Sequence, residues 1–147
     1  MRKTFLFTLL AVLLVSCGGG KTENKQETAE LTTPEQTVAT ADASNVNVYY
    51  FHGKQRCKTC LAIEDVTKKA IADNYKDNQK VKFVEINIDE DKNKDIVEKY
   101  EIAFSSLLIV KGEDYTDLTE QAFANAVNSP DALTSLIKEE VNKQLQN

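Results

Sequence analysis

Residues 46–51, Val46-Asn47-Val48-Tyr49-Tyr50-Phe51, are β-branched or aromatic with one polar break. That is the composition of a strand buried on both faces, and such a strand belongs inside a sheet covered from two sides. Gly53 ends it. A basic turn with Lys54 and Arg56 leads to Cys57-Lys58-Thr59-Cys60, after which Ile63, Val66, Ala70, Ile71 and Tyr75 follow at helical spacing over residues 57–76. Strand, turn, Cys-x-x-Cys and helix, in that order, suit thiol–disulfide chemistry. A helix N-terminus carries partial positive charge that favours thiolate over thiol, and Lys54, Arg56 and Lys58 add formal charge around Cys57. Two cysteines three apart share one helix face, close enough to close a small disulfide ring.

Beyond this unit, residues 81–88 read as a second strand and residues 89–100 as a polar helix with Ile96, Val97 and Tyr100 on one side. Residues 107–110 form a third strand. Lys111-Gly112-Glu113-Asp114 is a turn, with a short strand possible up to Leu118. A helix over 119–127 precedes another that opens at Ser129-Pro130-Asp131, an N-cap followed by proline at the first helical position. Leu133, Leu136, Ile137, Val141 and Leu145 form the apolar stripe of that last helix. The alternation of strands and helices places residues 46–147 in one α/β domain with a central sheet and helices on both faces.

The N-terminal third is of another kind. Arg2 and Lys3 precede an apolar run at residues 5–15, long enough for a signal sequence and too short to span a bilayer. Leu14-Val15-Ser16-Cys17-Gly18 resembles a bacterial lipobox, which implies a signal peptide at 1–16 and a lipid on Cys17. The chain is then expected on a bacterial cell envelope, lipid-anchored at the outer membrane or a periplasm-facing membrane. Residues 17–45 hold hardly a large apolar side chain and read as a flexible linker with a reach of about 30 Å.

With these elements in place the chain resembles the thioredoxin superfamily, from residue 46 to about residue 118. A second stretch carries the likeness. Val84-Glu85-Ile86-Asn87-Ile88-Asp89, followed by Ile96-Val97-Glu98-Lys99-Tyr100-Glu101-Ile102, is similar to the V-x-V-D … A-x-x-Y-x-I run of thioredoxins. The resemblance implies a thioredoxin-like fold with a central mixed sheet, a redox-active Cys57–Cys60 disulfide, and partner proteins that supply dithiols or disulfides. Three positions depart from the pattern. The cis-proline place opposite the cysteines falls on Ser105 or Ser106, no acid stands around Tyr49–Phe51, and Arg56 replaces the tryptophan before the first cysteine. Tyr49-Tyr50-Phe51-His52-Gly53, Arg56-Cys57, Thr59-Cys60 and Ile63-Glu64 also resemble a narrower group, the ArsF-type (nitrophenyl compound nitroreductase subunit) family of small Cys-x-x-Cys proteins. No flavin or nicotinamide site can be read from these residues, so no cofactor is expected and nitroreductase chemistry would belong to a partner.

The expected roles follow. Cys57 is the nucleophile and Cys60, one turn further in, the resolving thiol. His52, the only histidine, is a proton shuttle for Cys60, a strand-end residue bonded to a loop carbonyl, or a third ligand beside two thiolates for a thiophilic metal or metalloid. Ser105 and Ser106 are candidates to face the sulfurs. Glu64, Asp65 and the acids of 89–95 read as solvated helix faces and termini. A structural zinc site would need four ligands, and the domain offers three. A static disulfide and a purely structural adaptor are the other readings left open. With 18 basic residues, 23 acidic ones and a formal charge of −5, the chain lacks the basic stripe that nucleic acid requires.

Overall fold

The computed structural model describes residues 44–147. The signal peptide expected at 1–16, the lipidation site Cys17 and nearly all of the linker at 17–45 lie outside the described residues.

Strand β1 (Val46–His52) is buried along its whole length. It pairs in parallel with β2 (Val81–Asn87), Val46 opposite Val81 and His52 opposite Asn87. On its other edge it pairs antiparallel with β3 (Ser106–Lys111), Val48 opposite Ile109. The antiparallel β4 (Asp114–Asp117) completes the order β2-β1-β3-β4. Gly112, at φ 59°, opens the two-residue loop between β3 and β4, where a left-handed backbone favours glycine.

Alternation along β1 sends side chains to two cores. Val46, Val48 and Tyr50 join Leu107 and Ile109 beneath three helices: α1 (Lys58–Tyr75), α3 (Thr119–Asn125) and α4 (Pro130–Gln146). Tyr49 and Phe51 join Val84, Ile86, Leu108 and Val110 on the opposite face, under Ile96 and Val97 of α2 (Lys94–Lys99) and the adjacent Tyr100. This is the thioredoxin-like α/β arrangement, with helices on both faces.

The boundaries differ from expectation where side chains intervene. The stretch read as one helix over 89–100 is a 3-10 turn, Asp91–Asn93, leading into the six-residue α2. Asn93 is buried and its side-chain amide donates to the Asn87 carbonyl at 2.8 Å, tying the turn back to the end of β2. α2 ends with Glu101 at φ 52°, Glu101 N–H donating to the Glu98 carbonyl and Ile102 N–H to that of Val97. That helix stop redirects the chain into the segment carrying Ser105. α3 ends at Asn125, two residues before the expected limit. Ser129 precedes Pro130 as foreseen, but its side chain makes no capping bond.

The α1–α4 contact holds the helical layer together. Tyr75 Oη donates within reach of Asn142 Oδ1 at 2.9 Å and the Lys138 carbonyl at 3.2 Å, beside the fully buried Ile137. Replacing Ile137 with alanine is expected to lower unfolding free energy by about 2–5 kcal/mol, measured by denaturant titration of the reduced protein.

Candidate functional site

The cysteine pair sits where β1 hands over to α1. Cys57 is the N-cap: its backbone is extended, its carbonyl accepts from Leu61 N–H at 3.1 Å, and its Sγ accepts from Cys60 N–H at 3.1 Å. The sulfur therefore occupies the place of a capping oxygen, where the unpaired N–H groups of the first turn favour negative charge. Cys57 and Cys60 form a disulfide, their Cα atoms 5.1 Å apart. Cys57 is exposed and Cys60 is 7% exposed. The outer sulfur can be reached by a partner and the inner one only through it.

Beneath the pair lies Tyr50, fully buried on β1. Its hydroxyl donates to the Cys60 carbonyl at 2.7 Å, pinning the first turn of α1 to the central strand. The His52 ring stacks on it at 5.8 Å and the Arg56 guanidinium lies 5.5 Å from its centroid. Burial raises the Tyr50 hydroxyl above its ordinary range against the opposing pull of Arg56 and Ser105, so it stays a neutral donor.

Arg56 does not serve Cys57 in the way its position suggested. Its Nη2 pairs with Glu64 Oε2 and its Nη1 donates to Glu85 Oε1 at 3.2 Å. Lys68 pairs with Glu64 Oε1 and donates to Glu85 Oε2 at 3.0 Å. His52 Nε2 meets Glu85 Oε1 at 3.0 Å, and its Nδ1 lies 3.0 Å from the Gly53 carbonyl oxygen. His52 is thus the strand-end residue bonded to a loop carbonyl. It is not brought to the sulfurs as a third ligand, and among the described residues no group of three or more His, Cys, Asp or Glu could hold a metal ion. Lys54 and Lys58 flank the cysteines and are exposed.

One acid read as solvated is not so, and another, Asp89, is exposed as read but engaged. Glu64 is 9% exposed and enclosed by Arg56 and Lys68. Asp89 Oδ2 accepts from Lys54 N–H at 2.7 Å, fastening the turn before Cys57 to the end of β2. The serines divide. Ser105 Oγ lies 3.8 Å from Cys60 Sγ, whereas Ser106 is buried and donates to the Phe104 carbonyl at 3.0 Å. Phe104, 62% exposed, and Phe123 flank a groove of about 520 Å³ that also touches Asp117, Thr119, Glu120 and Gln121. Tyr50, Glu64 and Glu85 escaped the sequence reading. The available signals were the Glu64/Lys68 spacing on one helix face and the parallel register that sets Glu85 opposite Tyr50.

No protein-family model matches the chain, and no curated protein matches it. Several solved structures are similar to it. One, described as the structure of a malarial protein, is 21% identical over 65% of this chain and 96% of its own, with a TM-score of 0.46. Oxidized thioredoxin O1 from Arabidopsis thaliana is 23% identical over 67% of this chain and 80% of its own, with a TM-score of 0.45. Oxidized mitochondrial thioredoxin 3 from Saccharomyces cerevisiae is 22% identical over 65% of this chain and 78% of its own, with a TM-score of 0.42. The fold stands on strand order and direction, and the chemistry below on the geometry of the cysteine pair.

Burial alone would push the Glu64 carboxyl up, but hydrogen bonds and charge from Lys68 and Arg56 outweigh it and pull the carboxyl below its ordinary range. A depressed carboxyl stabilises the fold fully above its unfolded value, and that contribution is lost as pH falls through the lower folded value. Glu64→Ala is expected to lower stability by about 2 kcal/mol at neutral pH, leaving Arg56 and Lys68 short of a partner. The difference from the parent should shrink in acid, as followed by denaturant titrations across the acidic range.

Proposed function

We propose that the protein is a thiol–disulfide oxidoreductase that exchanges disulfides or electrons with partner proteins through Cys57 and Cys60. The observation that carries this reading is the division of exposure at a helix N-terminus: Cys57 open and capping α1, Cys60 buried one turn below and disulfide-bonded to it. Cys57 acts as nucleophile and Cys60 as resolving thiol. A static structural bridge is the weaker reading, because so small a ring constrains little of the unfolded chain. The groove between Phe104 and Phe123 opens one residue from Ser105. It offers apolar surface to a polypeptide whose disulfide reaches Cys57.

The cellular setting belongs to the same proposal. The lipobox-like Leu14-Val15-Ser16-Cys17-Gly18 supports a lipid on Cys17 and a place on the cell envelope, where disulfide chemistry is at home. The likeness to the ArsF-type family supports a redox subunit working beside a separate enzyme. Metabolic labelling with a fatty-acid analogue should mark the expressed protein and fail to mark Cys17→Ser. Equal labelling of both removes the anchor from the account.

In a graded dithiol/disulfide buffer the protein should show a reversible two-electron transition between about −300 and −100 mV. Cys60→Ser should accumulate mixed disulfides with partners in cells, and Cys57→Ser should not. Thiols that stay reduced across that range, or a bridge that never opens, would end the exchange reading.

A further inference from the structure

Resolution of a mixed disulfide requires Cys60 to attack as a thiolate, and Cys60 is 7% exposed. Burial disfavours that anion unless a donor meets it. Lys54 and Lys58 lie exposed beside the pair, and the titratable and charged groups beneath it are already engaged. From the turn, Arg56 is paired with Glu64 of α1 and Glu85 of β2, and from β1, His52 faces Glu85. The Tyr50 proton is committed to the Cys60 carbonyl at 2.7 Å, and the Cys60 N–H points at Cys57 Sγ. No acid stands on β1 beneath the cysteines.

What faces the inner sulfur is the hydroxyl of Ser105, its Oγ 3.8 Å from Cys60 Sγ. We propose that Ser105 serves Cys60 during resolution, its hydroxyl donating to the sulfur once that sulfur is a thiolate. A serine hydroxyl has one proton to give and two lone pairs. That single hydrogen bond to the sulfur replaces the charge that the site lacks. Ser105 is a positioning residue.

This assignment rests on the exchange reading, and the step balances as follows. Cys57 thiolate attacks a partner disulfide, forming a mixed disulfide and releasing one partner thiolate, which takes up a proton. Cys60 gives its proton to water and attacks Cys57 Sγ. The Cys57–Cys60 bond forms, the Cys57–partner bond breaks, and the second partner thiolate leaves to be protonated. The partner disulfide gains two electrons and the cysteine pair loses two.

The test is a pH titration of Cys60 by thiolate ultraviolet absorbance in the full chain carrying Cys17→Ser and Cys57→Ser, so that one thiol remains. Adding Ser105→Ala should raise the midpoint by about one pH unit, the size of one lost hydrogen bond to an anion. Ser105→Thr should restore it. In the chain with both cysteines, Ser105→Ala should slow resolution of a mixed disulfide with an aromatic thiol about tenfold relative to its formation. A midpoint indifferent to Ser105, or one that falls in Ser105→Ala, overturns the assignment. The exchange reading fails separately, if the parent chain undergoes no reversible oxidation in a dithiol/disulfide buffer.

Discussion

Burial of β1 on both faces is the constraint on which the rest depends. A strand with no exposed side must be flanked by paired strands and roofed by helices above and below, so seven residues dictate two cores. It also gives Tyr50 a fully buried base on β1. The hydroxyl of Tyr50 reaches the Cys60 carbonyl and fixes where α1 begins relative to the sheet. The position of the cysteine pair is in this sense a property of the strand. Asp89 secures the same turn from the end of β2 through the Lys54 N–H.

Charge at the site is organised differently from what a count of basic residues implies. Arg56 and Lys68 are bound to Glu64 and Glu85, so their charge is spent locally on a network along one side of Tyr50. The electropositive environment of Cys57 is then chiefly the helix end itself, with Lys54 and Lys58 exposed beside it. Hydrogen bonds aimed at a sulfur act over short range and are screened little, whereas exposed lysines lose most of their effect to solvent and salt.

The cysteine pair, the strand before it and the helix after it were legible in the sequence because each is a local pattern. The strand shows in the apolar run, the helix in its spacing, the outer cysteine in its place at the boundary. The thioredoxin-like order of elements was legible for the same reason. Ser105 and Ser106 were legible only as a pair. Which one reaches Cys60 depends on β3 starting at Ser106, where pairing with Phe51 turns that side chain away.

What the sequence by itself determined is therefore the inventory: a doubly buried strand, two cysteines on one turn, alternating elements, an acidic chain with a basic turn. What only the tertiary structure decided is who meets whom. Glu64 lost its solvent because the Arg56 side chain folds back along α1, Asp89 found a backbone partner 35 residues away, and Tyr50 gained a carbonyl on the next element. The physical reason is that periodicity records which face of an element is apolar, a one-body property. A hydrogen bond or ion pair depends on the register and packing of two elements, and no local pattern in either one encodes it.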